Sequence, residues 1–345
     1  MLAYTYQNYG MPDVLEKVDV PTPTPKPNEV LIRVSATTVS SGDWRARSLT
    51  MPKGLGLIGR LVFGISGPRK PILGTEFAGV VESVGLDVTN YSPGDAVIGF
   101  PGASFGAHAE NITMPADGKL SLKPKSISFE QAAAIPFGAT TAYDFLVNKA
   151  RLMPGQTVLI NGASGSVGSA CVQIAKHFGA EVTAVCSGKN AHMVRSLGAD
   201  RVIDYLTQDV VKDGVQYDLV VDTVATLPWV RAQHAIRPGG KMVLVAGKTS
   251  DMLLGGLKAR LKGKRMVGGV ASESRDLLDA VVTLAARGDF KPVIDRNYAF
   301  DDMQAAHTHV DTRHKKGNVV VTVMPNFQQT SQQKMSMNTK EQINA

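Results

Sequence analysis

Cysteine is nearly absent from this chain, with two in 345 residues, and no apolar run approaches the ~18 residues of a membrane-crossing helix. The first scarcity excludes a disulfide framework and a cysteine-rich metal lobe, and a reducing compartment follows. The second excludes a helical membrane span. No signal-peptide pattern follows Met1, which makes the cytoplasm the default location. No internal repeat is visible. Basic residues outnumber acidic ones 37 to 30, a net charge of +7. Yet the densest basic run (Lys258, Arg260, Lys262, Lys264, Arg265) has no interleaved aromatics, so it reads as a solvated face or a field for an anionic cofactor, and no nucleic-acid partner is expected.

What is present begins at Thr157. TVLINGASGSVGSACVQIAKHFGAEVTAVC runs from an apolar strand through a glycine-rich turn into an amphipathic helix and a second apolar strand. Parallel strands covered on both faces lose polar alternation, as Val158, Leu159 and Ile160 do. Gly162, Gly165 and Gly168 allow a tight turn, approach of a pyrophosphate, and close packing of the helix, whose free N–H groups favour an anion. That context indicates a dinucleotide. A site for NAD places Asp or Glu roughly 20 residues past the glycines, but here the second strand ends in Ser187-Gly188-Lys189-Asn190. A hydroxyl and an ammonium suit a 2′-phosphate, so the cofactor is read as NADPH.

The first ~120 residues are short strands punctuated by proline and glycine, with Val30 to Val34, Ala78 to Val84 and Asp95 to Ile98 among them. Residues 46 to 73 read as a loop with a short helix near a substrate cleft. A helix is expected from Glu130 to Ala150, then strands near 157, 181, 201, 219, 241 and 266 with helical crossovers, a doubly wound parallel α/β sheet. Asn318 to Val323 reads as a last strand returning to the first domain. Residues 1–124 and 274–323 are assigned to a β-rich catalytic domain, 125–273 to an NADPH-binding Rossmann domain, and 324–345 to a disordered tail. The histidines His307, His309 and His314 are read as surface residues, because no Cys or Glu accompanies them at ligand spacing.

Four collinear stretches resemble the medium-chain dehydrogenase/reductase superfamily, and within it the zinc-independent quinone oxidoreductase branch: Gly74 to Gly85, Pro93 to Val97, Ala132 to Tyr143 and Asn161 to Gly168. The resemblance implies a GroES-like catalytic domain beside the Rossmann domain. Zinc members of the superfamily carry a ligand cysteine and a ligand histidine where this chain has Ser40 and Thr75, and neither hydroxyl replaces a thiolate or an imidazole. No metal is therefore expected. Hydride transfer from NADPH to an already activated electrophile, a quinone or an α,β-unsaturated carbonyl, is the chemistry that remains.

By the same resemblance Thr141 lies near the nicotinamide carboxamide and Ser164, Gly165, Ser166 and Val167 hold the pyrophosphate. Ser187 and Lys189 face the 2′-phosphate with Asn190 close by, and Tyr205 packs near the adenosine ribose. Thr223, Val224, Ala225, Ala246 and Gly247 line the nicotinamide side, and Gly317 and Asn318 match a late contact. Asp43 either orients a water or substrate or caps a turn, and Thr75 is a candidate donor to the substrate oxygen. Glu76 reads as structural. An enoyl-thioester reductase is the alternative enzyme, although residues 45 to 74 lack the tyrosine donor of that group, and an NADPH-binding protein of structural or regulatory role is the alternative outside enzymes. The superfamily's habit of joining edge strands points to a homodimer through Met266 to Val270. Since residues 324 to 345 lack apolar spacing, ending the chain after Val323 is expected to leave thermal unfolding and turnover nearly unchanged; a large loss of either shows that the tail docks.

Overall fold

Among the described residues the strands form three sheets, one of two strands and two large ones between which the chain passes out and back. The computed structural model describes residues 1–50, 56–212, 214–247 and 249–324; the tail assigned above lies, beyond Met324, outside the described residues. At the amino end β1 (Leu2–Thr5) pairs antiparallel with β2 (Glu16–Asp19). The long β3 (Glu29–Val39) follows the proline-rich stretch and leads into α1 (Ser41–Ser48) and α2 (Gly56–Phe63). Then come β4 (Phe77–Val84), β5 (Ala96–Gly99), β6 (Asn111–Pro115) and β7 (Leu120–Leu122). Because β3 is hydrogen-bonded to both β4 and β6, its Val30, Ile32, Val34 and Ala36 are wholly buried.

The helix expected over 130–150 is broken. Pro136 has no N–H to continue a turn, so α3 (Phe129–Ala133) stops and α4 (Pro136–Tyr143) starts with that proline in its first turn. Asp144–Lys149 then widens into a π-helical turn. Beyond it lie β8 (Thr157–Asn161), α5 (Ser166–His177), β9 (Glu181–Cys186), α6 (Ala191–Ser196), β10 (Arg201–Asp204) and β11 (Tyr217–Asp222). After α7 (Trp229–Ala232) come β12 (Ile236–Leu244), α8 (Thr249–Arg260) and β13 (Arg265–Val267). These six strands form one parallel sheet in the order β10-β9-β8-β11-β12-β13. The chain leaves β8 on one side toward β9 and resumes on the other at β11, so the carboxyl ends of β8 and β11 form the switch point where such sheets bind ligands. One edge strand is β13, three residues long against the five expected from Met266 to Val270; it ends before the diglycine Gly268-Gly269.

The chain then returns. After α9 (Arg275–Arg287), β14 (Ile294–Ala299), α10 (Met303–Asp311) and β15 (Asn318–Thr322) bring β14 and β15 onto the edge of the first sheet, giving the order β14-β15-β3-β4-β5-β7. The amino-terminal and carboxyl-terminal segments thus build one sheet, as the sequence indicates.

Helix α1 is locked to α10 through a buried polar cluster. Arg47 is fully buried and donates to Gly10 O at 2.7 Å, to His307 Nδ1 at 3.3 Å and to Asp311 Oδ1. His307 is wholly buried, which corrects its reading as a surface residue: Met303, Ala306, His307 and Val310 form the inward face of α10. His309 meets Asp295 at 2.7 Å, and only His314 is exposed. Breaking a buried pair by removing one partner strands a charge at a cost of about 3–5 kcal/mol. Asp311→Ala is accordingly expected to lower the unfolding free energy by about 3 kcal/mol, read from denaturant midpoints; a change below 1 kcal/mol refutes the role given to the pair.

Candidate active site

A cleft of about 750 Å³ opens over the carboxyl ends of β8, β9 and β11. Its floor is the glycine-rich turn. Gly162 has φ +84°, and a Cβ there meets the Thr223 hydroxyl at 2.6 Å; at Gly168 a Cβ meets Gly162 O at 2.1 Å, so the first turn of α5 packs directly on the loop before it. No side chain caps α5 at Gly165, and no acidic residue sits in its first turn. Its leading N–H groups are left for an anion.

Of the residues singled out in the sequence, Ser164, Gly165, Ser187, Lys189, Asn190, Tyr205 and Val224 line this cleft. Asn190 Oδ1 is buried with no hydrogen-bond partner, the state of an acceptor that a cofactor hydroxyl completes. Together with the uncapped turn, this donor and acceptor set fits a dinucleotide. Other expected residues lie around the cleft rather than on its wall. Thr223 Oγ1 donates to Asn161 O at 2.8 Å and roofs the turn, Ala225 sits at φ +58° in the loop after β11, and Ala246 N–H donates to Asp222 O at 3.1 Å. Gly247 follows it. Thr141 is half-buried on α4 and donates to Phe137 O at 2.7 Å. Ser166 Oγ donates to Asn318 Oδ1 at 2.6 Å and Gly317 N–H donates to Ser164 O at 2.8 Å, so Gly317 and Asn318 tie the returning strand to the turn. Val167, in the first turn of α5, packs against the main core.

Sequence reasoning missed several groups here. Asn161 and Asp222 face each other at the switch point, with Asn161 Nδ2 donating to Asp222 Oδ1 at 2.9 Å, while Asp222 also accepts from Val224 and Leu227 N–H and so shapes the loop over the cleft. Arg231 reaches the wall from α7, paired with Asp209 at 2.6 Å. Arg313, His314 and Lys315 reach it from the returning segment. Arg313, at φ +58°, stacks its guanidinium 4.6 Å from the Trp44 ring centroid. A carboxylate also stands near the end of β9, from the neighbouring strand: Asp204 Oδ2 would contact a Cβ on Gly188 at 2.5 Å, but Asp204 accepts from Leu206 N–H at 3.0 Å and is not on the cleft wall.

The two positions where zinc members carry metal ligands do come together. Thr75 Oγ1 donates to Ser40 Oγ at 3.0 Å; Ser40 Oγ donates to Asp43 Oδ2 at 2.6 Å and accepts from the N–H of Gly42 and Asp43. Asp43 is fully buried, takes the Gly74 and Ser40 N–H groups, and completes the capping box of α1. Of its two readings, the geometry supplies the cap. Ser40, Thr75 and Asp43 are thus committed to one another, and two neutral hydroxyls do not fit a zinc ion.

Next to this cluster Glu76 is buried, accepting from Phe137 N–H at 2.6 Å at the start of α4 and from the Thr38 hydroxyl. Desolvation pushes its carboxyl up to about 8. Lys315, whose ammonium donates to Gly317 O at 2.5 Å, is pushed down to about 8, again by desolvation and against the pull of Glu76. His108 and His307 pack edge to face at 5.4 Å, and burial holds both below the ordinary imidazole value.

Three comparisons with known proteins agree on the family. Residues 26–125 match the alcohol dehydrogenase GroES-like domain and residues 197–321 the zinc-binding dehydrogenase family. Over 341 residues the chain is 31% identical to the chloroplastic quinone-oxidoreductase QR1 of Triphysaria versicolor, covering 93% of this chain and 98% of that one. This chain is a medium-chain dehydrogenase/reductase of the quinone-oxidoreductase-like branch. A chloroplastic NADPH-dependent alkenal/one oxidoreductase of Arabidopsis thaliana is also 31% identical, over 94% of this chain and 80% of that one. The solved quinone oxidoreductase of Coxiella burnetii superposes with a TM-score of 0.83 at 28% identity, covering 94% of this chain and 99% of that one.

The buried titrating groups fix how this oxidoreductase responds to pH. Between its ordinary value of 4.5 and about 8, Glu76 holds a proton in the folded chain that the unfolded chain releases, so its contribution weakens as pH rises. Below the ordinary imidazole value of 6.5 the unfolded chain binds protons on His108 and His307 that the folded chain refuses, so their contribution is present above 6.5 and lost as pH falls. The two effects oppose each other: stability is expected to fall toward alkaline pH as Glu76 titrates up to about 8, and the two histidines pull it down as pH drops below 6.5. Denaturation midpoints from pH 5 to 8 measure this, and Glu76→Gln is expected to flatten the alkaline arm; a flat profile in the parent chain refutes the assignment.

Proposed function

We propose that this oxidoreductase transfers hydride from NADPH to a quinone or an α,β-unsaturated carbonyl without a zinc ion. The observation that carries this reading is the 3.0 Å hydrogen bond between Ser40 and Thr75 where zinc members hold a thiolate and an imidazole. With no Lewis acid to polarise a simple carbonyl, the acceptor must be activated by its own conjugation. The names of the relatives, a quinone oxidoreductase and an alkenal/one oxidoreductase, support the same class.

When bound, the nicotinamide supplies the hydride, and the residues bind and orient. The N–H groups of Ser166 and Val167 and the backbone of Ser164 and Gly165 take the pyrophosphate. Ser187 and Lys189 take the 2′-phosphate, beside Asn190 and Tyr205. Thr141, Thr223, Val224, Ala225, Ala246 and Gly247 surround the nicotinamide half, with Gly317 and Asn318 closing it from the catalytic sheet. Asp43 positions α1 and Trp44 rather than moving a proton. Domain boundaries at 124/125 and 273/274, and a homodimer that covers the β13 edge, complete the reading.

Cofactor choice tests it directly. An exposed charge-assisted phosphate contact contributes roughly 1.5 kcal/mol, about tenfold in affinity. Lys189→Ala is expected to raise the NADPH KM about tenfold and leave the NADH KM unchanged, with NADPH the better cofactor of the parent enzyme. Turnover is expected with a quinone or an enone, to persist in a chelator, and to fail with simple alcohols. Equal use of NADH by the parent, or one zinc per chain by elemental analysis with activity lost to the chelator, refutes the proposal; a preference for enoyl thioesters over quinones and enones moves it to the alternative reductase.

A further inference from the structure

Between Asp43 and Glu76 the chain runs for 32 residues without an acidic side chain, and that stretch holds six cations: Arg45, Arg47, Lys53, Arg60, Arg69 and Lys70. Arg47 is consumed inside the fold. Arg60, Arg69 and Lys70 are exposed around the end of α2. The same turn presents Leu61, Val62 and Ile65 at 51%, 58% and 61% exposure, a cluster of aliphatic side chains facing water. Phe63, between them, turns inward with its ring 6.3 Å from that of Phe105.

The turn is held in shape. Gly64 N–H donates to Arg60 O at 2.9 Å and Arg69 N–H to Phe63 O at 2.8 Å, Arg60 reaches the Ile65 carbonyl at 2.9 Å, and the Tyr9 hydroxyl donates to Gly64 O at 2.8 Å. Among the described residues neither Arg69 nor Lys70 forms an ion pair. An aliphatic tip ringed by cations of one sign, with no acid in the segment, has the composition of an interfacial anchor.

We propose that the end of α2 and the turn after it, with Leu61, Val62 and Ile65 ringed by Arg60, Arg69 and Lys70, dock on the surface of an anionic phospholipid bilayer. Charge selects this occupant over a second copy of the chain. A two-fold pairing of this face sets Arg60, Arg69 and Lys70 against their own copies with no carboxylate between them, whereas anionic headgroups neutralise all three while the aliphatic tip leaves water. The use of such docking rests on the function proposed above: quinones and long-chain enones partition into lipid, and an enzyme held at the bilayer meets them there.

The test uses the full chain without cofactor or substrate, sedimented with vesicles of phosphatidylcholine alone or mixed with phosphatidylglycerol. Binding is expected to the anionic vesicles, to be weak on the neutral ones, and to fall as salt rises. Leu61→Asp/Val62→Asp is expected to lower the partition constant at least ~10-fold, and Arg69→Gln/Lys70→Gln roughly fivefold per charge, with thermal unfolding measured for each to verify folding. Failure of the parent to sediment with anionic vesicles overturns the inference. So does parent-like binding by the folded variants, or a variant that changes the particle mass in light scattering and leaves vesicle binding intact, which assigns the face to a second copy. Quinone reduction in solution without vesicle binding overturns this inference and leaves the function standing; vesicle binding without NADPH oxidation does the reverse.

Discussion

The hydrogen bond from Gly317 N–H to Ser164 O joins the two large sheets beside the cleft. Ser164 belongs to the glycine-rich turn, and Gly317 immediately precedes β15, the strand that pairs with β3. With Ser166 bound to Asn318 beside it, the returning segment is fixed at one end to the nucleotide turn. Its other end, Arg313, lies on Trp44 of α1. The segment 313–318 therefore runs from α1 to the glycine-rich turn, tied at both ends, and Arg313, His314 and Lys315 line the cleft along it.

Hydroxyls in place of a thiolate and an imidazole change how this corner of the fold is ordered. A thiolate and an imidazole around zinc form a charged, rigid centre; Ser40 and Thr75 form a neutral one whose order comes from Asp43. The buried carboxylate is spent on N–H and O–H donors and leaves α1 at a fixed angle. Glu76 does the same for α4 by accepting Phe137 N–H at its first turn. Two buried carboxyl groups thus fix two helices, α1 with Trp44 and α4 with Thr141. The cost is desolvation of Glu76, which pushes its carboxyl up.

How much of this could be read from the sequence depended on whether the cause was local. The glycine-rich turn was legible because its chemistry lies within seven residues, and the parallel strands because burial on both faces erases alternation. The break at Pro136 was legible too, since a proline has no N–H to continue a helix, and the one helix expected there is two. His307 carried a signal that was passed over, since its spacing from Met303, Ala306 and Val310 already placed it on the inward face of α10. Arg231 and Arg313 could not be found this way. Each reaches the cleft from an element distant in sequence, and only the fold brings it there.

The same distinction separates the two large sheets. The cleft lies on the parallel sheet, where Asn161 and Asp222 meet in register at the switch point, so small local motifs suffice to specify it. Helices α1 and α2 are held instead by long-range contacts such as Arg47 with Asp311 and Tyr9 with Gly64. The acid-free stretch from 44 to 75 stands apart from the glycine-rich turn: among the described residues, the Trp44–Arg313 stack and the returning segment behind it connect the two.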